Sequence, residues 1–122
     1  AGHHLRLGEA RAPLASEDVL VIGSGHVTHN LRDWAMHRHE AATLEYVPRF
    51  ADWLQDALAR HDRAALVDWR ERAPEAARAH PTDEHFLPLF VALGAAGAGA
   101  AAERVHAAVE GAALAMDAYR FH

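Results

Sequence analysis

Four consecutive β-favouring apolar residues, "VLVI" at positions 19–22, constrain the fold of this chain more than any other feature. The run does not alternate between apolar and polar residues, so it predicts a strand that is covered on both faces, as in a parallel sheet flanked by helices. A polar turn precedes it, and the loop "GSGHVTHN" follows it. Such a strand needs neighbours, and we therefore expect an α/β fold with a mixed sheet.

The rest of the chain is predicted to be mainly helical. Residues 3–14 predict a short amphipathic helix that stops near Pro13, and residues 40–61 predict a second helix that Pro48 starts late or kinks. Asp62 can cap a third helix, which must end before Pro74. We expect a fourth helix that Thr82 caps, that Pro88 distorts and that ends at Gly94 or Gly97, with a surface loop after it. A closing hairpin is expected around Glu110 and Gly111.

Length and composition narrow the function classes. The chain has 122 residues, so we expect a single domain over residues 1–122. A net charge of -5, with twelve arginines and no lysine, argues against nucleic acid as a partner. No apolar run is long enough to predict a membrane span, and the lack of cysteine fits the cytoplasm. The chain begins at Ala1 and not at methionine, so we allow for further residues upstream.

The loop after the apolar run is the first candidate site. Gly23 and Gly25 match the start of a dinucleotide-binding fingerprint, but Thr28 replaces its third glycine, so we reject a phosphate-binding function. The imidazoles of His26 and His29 remain, at the end of a predicted strand where α/β folds place their sites. Two interpretations stay open, namely proton transfer near neutral pH and ordinary exposed loop residues. Two neighbouring side chains could hydrogen-bond such a ring and fix its tautomer: Asn30 and Asp33.

The stretch "HPTDEHFLPL" at positions 80–89 is the second candidate. His80 and His85 flank a proline and a predicted helix cap that could aim His85 at a metal, with acidic residues nearby. The spacing does not match the HExxH pattern of zinc proteases, so the metal signal is weak on its own. The remaining histidines of this histidine-rich chain are expected to be solvated: His3, His4, His37, His39, His61, His106 and His122.

Together these stretches are more specific than either alone. "SGHVTHNLRDW", then "HPTDEHFLPLFVALGAAG", then "LAMDAYRF" resembles the C-terminal portion of the class III extradiol ring-cleavage dioxygenases, in their DOPA-dioxygenase-type branch. That resemblance implies a mononuclear Fe(II) or Zn(II) site that binds a catechol-type substrate and dioxygen. It implies that His85 is a metal ligand and that His29 is the catalytic acid/base histidine, whereas nothing carries over to His26.

Two departures from that family limit the prediction. The "HGSP"-type and "SAHW"-type motifs that hold the family's other metal ligands do not occur in this chain, and family members are about twice as long. We therefore expect an α/β structure that is incomplete without an N-terminal half or a partner chain, and that forms homo-oligomers through unpaired strand edges. The alternatives are a non-catalytic half-domain that serves oligomerisation or binding, and adventitious metal binding by surface histidines.

Overall fold

A computed structural model describes all 122 residues, which form seven α-helices, one 3-10 helix and four short strands. The helices are α1 (Gly2–Glu9), the 3-10 helix (Ala12–Glu17), α2 (Leu31–His37), α3 (Tyr46–Ala59), α4 (Arg63–Val67), α5 (Trp69–Arg72), α6 (Ala76–Ala79) and α7 (Leu87–Ala96). The strands are β1 (Ala102–His106), β2 (Val109–Glu110), β3 (Leu114–Ala115) and β4 (Ala118–Phe121).

Helix α3 provides the centre of the core. Its buried positions recur at three- and four-residue steps and include Phe50 and Leu54, both fully buried, as the sequence periodicity predicts. Pro48 lies in the first turn, where a missing N–H costs no helical hydrogen bond, so the predicted late start is confirmed. Phe86 and Phe90 from the α7 region pack into the same apolar cluster.

The helix after α3 was also predicted correctly at its start. The Asp62 carboxylate accepts a hydrogen bond from the backbone N–H of Ala65 at 2.9 Å, which is the predicted N-cap. Leu66 and Trp69 are buried, and the helical segment ends before Pro74. The structure divides it into α4 and α5 at Asp68.

Two helix boundaries differ from the predictions. Helix α1 ends at Glu9, and Pro13 lies near the start of a separate 3-10 helix instead of ending one longer helix. Helix α7 begins at Leu87, with Pro88 in its first turn, so the proline starts this helix and does not distort it. The Thr82 hydroxyl donates to the Glu84 carboxylate and caps no helix.

The strands form two small antiparallel sheets. β1 pairs with β4, and β2 pairs with β3 across a turn in which Gly111 and Ala112 have positive φ angles. The predicted closing hairpin around Glu110 and Gly111 is thus confirmed. The structure contains no parallel strand pair, so the expected mixed sheet is not present within these 122 residues.

The apolar run that suggested a buried strand is the largest departure. Residues 19–25 pair with no strand, and Leu20 and Ile22 are 81% and 78% exposed. Residues 19–22 therefore do not form the predicted strand, because these 122 residues provide no neighbouring strand for its main chain, which agrees with the expectation that the structure is incomplete. Among the helices, none has the length and apolar character that crossing a bilayer requires.

Candidate functional site

The loop that carries His26 and His29 is held by main-chain hydrogen bonds to two other parts of the chain. The His26 N–H donates to the His85 carbonyl oxygen at 2.8 Å, and the His29 N–H donates to the Ala79 carbonyl oxygen at 2.8 Å. Between them, the fully buried Thr28 hydroxyl donates to the Ala113 carbonyl oxygen and accepts from the Ala115 N–H. The loop is therefore fixed against both the "HPTDEH" segment and β3.

The two glycines of this loop permit a close approach of backbones. A Cβ atom on Gly25 would overlap the His85 carbonyl oxygen, and one on Gly23 would overlap the Pro88 carbonyl oxygen. Close packing of the loop against the start of α7 therefore accounts for both glycines.

Three imidazole rings meet as a result. The His29 and His85 rings are stacked, with centroids 3.6 Å apart and planes inclined by 23°. The His26 ring lies with its centroid 4.9 Å from that of His29 and 5.9 Å from that of His85. The structure thus brings together the two residues to which the resemblance gives roles, His29 and His85, and it places beside them His26, a candidate from the sequence to which the resemblance gave no role.

The environment favours the neutral form of two of these rings. Burial lowers the pKa of His29 below its ordinary value, as do His85 and His26, while Glu84 opposes them. Burial also lowers the pKa of His26, His85 lowers it further, and Glu110 opposes them. Near neutral pH these imidazoles can therefore accept a proton or offer a lone pair.

The His85 ring has an acidic neighbour. Its Nδ1 atom lies 3.2 Å from a carboxylate oxygen of Glu84, a separation typical of an ion pair but without hydrogen-bond geometry. A carboxylate beside one ring nitrogen orients an imidazole whose other nitrogen is used elsewhere. Because Glu84 and His85 both precede α7, neither depends on the helix cap that the sequence suggested.

His80 supports the loop through a hydrogen bond to its main chain. It is fully buried, and its Nε2 atom donates to the Val27 carbonyl oxygen at 2.8 Å. Aromatic rings surround it, with centroids at 4.8 Å for Phe86 and 5.5 Å for both Trp69 and Phe50. In the sequence His80 has only Ala79 and Pro81 beside it, and such neighbours do not indicate a buried side chain. The sequence therefore did not reveal that His80 supports the loop.

Asn30 and Asp33 do not hydrogen-bond a histidine, which corrects the prediction that they fix a ring tautomer. The Asn30 side chain caps α2 by accepting from the Asp33 N–H, and it donates to the Arg78 carbonyl oxygen. The Asp33 carboxylate accepts from the Arg78 guanidinium at 2.9 Å. Both residues join α2 to the α6 segment. Helix capping and the ion pair occupy the polar atoms that would otherwise be free to bond a histidine ring.

Most of the remaining histidines are exposed, as expected, although His4 and His37 are half-buried and His37 contacts the Glu40 carboxylate at 2.8 Å. No group of three or more histidine, cysteine or acidic residues in the structure has the arrangement of a metal site. The three imidazoles therefore do not form a complete metal centre on their own.

Comparison with known proteins agrees with these motifs. A family profile described as "Catalytic LigB subunit of aromatic ring-opening dioxygenase" matches residues 1–121. The 4,5-DOPA dioxygenase extradiol of Beta vulgaris is 38% identical over 119 residues, which cover 98% of this chain and 44% of that enzyme. The enzyme of the same name from Portulaca grandiflora is 38% identical over 122 residues, again covering 44% of its length.

A solved structure supports the fold. The crystal structure of the uncharacterized protein JW3007 from Escherichia coli K12 matches 95% of this chain and 48% of its own, with a TM-score of 0.80 and 24% identity. The chain thus spans about half the length of the relatives that it matches. The profile match and the curated relatives show that the chain belongs to the LigB family of class III extradiol, aromatic ring-opening dioxygenases.

Proposed function

We propose that this chain supplies one metal ligand and the acid/base histidine of an extradiol dioxygenase that cleaves catechol-type substrates with dioxygen. His85 is the ligand and His29 is the acid/base residue. The remaining ligands come from the part of the family's domain that lies outside these residues, either an N-terminal half or a partner chain. Coverage of only 44% of the Beta vulgaris relative supports this division of the site.

The stacking of the two rings is the observation that carries this assignment. A metal ion lies close to the plane of an imidazole that binds it, about 2.1 Å from the nitrogen. The planes of His29 and His85 are nearly parallel and 3.6 Å apart at their centroids, so they do not converge on one ion at that distance. One ring can bind the metal while the other lies beside it, in contact with whatever the metal binds.

The acidic neighbour distinguishes the two rings. Glu84 lies next to Nδ1 of His85, which leaves Nε2 of that ring for a metal. The His29 ring has no such carboxylate neighbour, since the Asp33 carboxylate that was expected to serve it is bonded to Arg78. These nitrogen donors fit Fe(II) or Zn(II), which would bring the catechol oxygens and dioxygen together when bound.

Proton transfer is the role that suits His29. Because burial and its two histidine neighbours lower its pKa, the ring is available as a base at neutral pH. Its position on a loop fixed by the Ala79 and Thr28 hydrogen bonds holds the ring in one place while a proton moves.

Metal content and turnover separate these roles when the domain is complete. We define the completed domain as this chain fused, in the order of the relative, to the part of the Beta vulgaris enzyme outside the matched segment. We expect His85→Ala to lose the bound metal, and His29→Ala to keep the metal but lose catechol cleavage. His3→Ala, which alters an exposed histidine on α1, is the matched control and should change neither quantity. Equal metal content in the His85 variant and the parent would overturn the assignment.

A non-catalytic half-domain is the second candidate, and the exposed apolar side chains of Val19, Leu20 and Ile22 favour it. Under this alternative the chain forms homo-oligomers, and its histidines bind metal only adventitiously. Elemental analysis after anaerobic purification distinguishes the two. A stoichiometric metal in the completed domain supports the enzyme, whereas a metal-free completed domain that still assembles supports the module.

A further inference from the structure

His26 is the one of the three neighbouring imidazoles to which the proposed function gives no role. Its ring centroid lies 4.9 Å from that of His29 and 5.9 Å from that of His85. Its main-chain N–H donates to the His85 carbonyl oxygen, and the next residue, Val27, donates to the Ala115 carbonyl oxygen. The loop therefore holds the His26 ring beside both of the histidines that carry the proposed chemistry.

The two nitrogen atoms of the His26 ring differ in their surroundings. Nδ1 is buried and has no hydrogen-bond partner, whereas Nε2 also lacks a protein partner but stays open to solvent. A buried N–H without an acceptor is rarer in proteins than a buried lone pair, so the hydrogen of the neutral ring belongs on Nε2. The charged ring carries a hydrogen there as well, so Nε2 is a hydrogen-bond donor in both states.

The space in front of this donor is mainly apolar. His26 and His85 both line a cleft of about 660 Å³, and most of the other side chains that line it are apolar, including Leu89 and Met116. Because the three rings are so close together, a planar aromatic molecule that contacts His29 and His85 also reaches His26. A single open donor in apolar surroundings fixes the orientation of a ligand and selects ligands that carry an acceptor.

The charges around the rings favour an uncharged acceptor. Burial and the neighbouring imidazoles lower the pKa values of His26 and His29, and the charges that oppose them are carboxylates, those of Glu110 and Glu84. No arginine acts on either ring. An anionic substituent at this position would face two carboxylates without a cation to pair with, whereas a carbonyl oxygen would not be repelled.

We propose that His26 determines substrate specificity by donating a hydrogen bond from Nε2 to an uncharged oxygen acceptor on the substrate, such as a ketone, outside the two catechol hydroxyls. This inference rests on the proposed function, because that function places the substrate beside His29 and His85. A donor that loses water and finds no acceptor penalises binding, so the contact discriminates between substrates of the same shape.

Two catechols of nearly the same shape test this contact. Acetylcatechol, substituted para to one hydroxyl, carries a ketone oxygen, whereas isopropylcatechol with the same substitution has a methyl group in its place. Their affinities are measured by titration of the completed domain loaded with Fe(II), without oxygen, so that binding is read without turnover. We expect His26→Leu to lower the ratio of the two affinities by about tenfold. His26→Gln, which keeps an N–H donor, should restore most of that ratio, and the exposed control His3→Leu should leave it unchanged.

Several outcomes would overturn the proposal. One is an unchanged affinity ratio in a His26→Leu domain that retains its metal, with His26→Ala deciding by the same ratio if the leucine prevents folding. Another is an equal loss of affinity for both catechols, because His26 would then act only by packing against its neighbours. A loss for the corresponding dihydroxybenzoate without one for acetylcatechol would show that the acceptor is an anion.

Turnover of unsubstituted catechol, measured in parallel, separates this inference from the proposed function. A completed domain that binds both probes but cleaves no catechol would refute the proposed chemistry, while the affinity ratio would still decide the role of His26. Failure of the metal-loaded parent to bind either probe would overturn both proposals.

Discussion

The buried imidazole of His80 makes the stability of this chain depend on pH. Burial lowers the pKa of His80 to about 4, despite its hydrogen bond to Val27, while His29, Arg70 and His85 also act to lower it. Because Nε2 donates to a carbonyl oxygen that can only accept, the neutral ring carries its proton there and leaves Nδ1 without a partner. Protonation of Nδ1 would place an unpaired charge within an aromatic cage.

The sign and size of the effect follow from this pKa. Above the ordinary value of 6.5 the ring is neutral in both the folded and the unfolded chain, so His80 adds no pH dependence. Between 6.5 and about 4 the unfolded chain binds a proton that the folded chain does not, and the free energy of unfolding falls. At about 1.4 kcal/mol per pKa unit, the loss approaches about 3 kcal/mol, a large part of a typical domain's stability.

Urea unfolding followed by tryptophan fluorescence, from about pH 7.5 to about pH 4.5, measures this loss. His80→Gln keeps a side-chain N–H donor for Val27 but cannot be protonated. The variant should be less stable than the parent at neutral pH and should lose less stability on acidification. His3→Gln, on the surface, should follow the parent throughout. Parallel pH profiles for the parent and His80→Gln would refute the reasoning, because the acid sensitivity would then arise from other groups.

Three further substitutions test the loop and the small sheets by urea unfolding. Gly25→Ala should destabilise the chain by about 2 kcal/mol or more, because its methyl group would overlap the main chain before α7, whereas the exposed neighbour Ser24→Ala should have little effect. Thr28→Val should cost about 2 kcal/mol, since it leaves two buried main-chain groups of the β3 region unpaired, and a cost below about 0.5 kcal/mol would show that water replaces the hydroxyl. Asp117→Ala should cost about 2 kcal/mol, because this buried carboxylate accepts from the partly buried Arg104 at 2.9 Å; an unchanged midpoint would mean that Arg104 is satisfied by its other contacts.

Local signals in the sequence predicted local structure well. The apolar periodicity of α3, the Asp62 cap and the closing hairpin each depend on residues a few positions apart, and all three are confirmed. The errors at Thr82 and Pro88 have a similar local origin. A threonine before acidic residues can cap a helix or bond a nearby carboxylate, and Thr82 does the latter. A proline can distort a helix or occupy its first turn, and Pro88 lies in the first turn of α7.

The arrangement of the histidines depended on distant contacts that the sequence alone did not reveal. The motifs identified His29 and His85, but the proximity of the two rings requires the His26-to-His85 hydrogen bond and two glycines without side chains. Asn30 and Asp33 were wrongly expected to serve a ring because their actual partner, Arg78, is far away in the sequence. Polar side chains have several possible partners, and only tertiary structure selects among them.

The apolar run at residues 19–22 fits a strand whose neighbours are not present within these 122 residues. Its composition is that of a strand with neighbours on both edges and cover on both faces, yet the chain provides only the inner cover. The glycine-rich loop that follows is nevertheless fully positioned by α7 and β3. The three imidazoles are therefore held in place by contacts within these 122 residues, without a neighbouring strand beside residues 19–22.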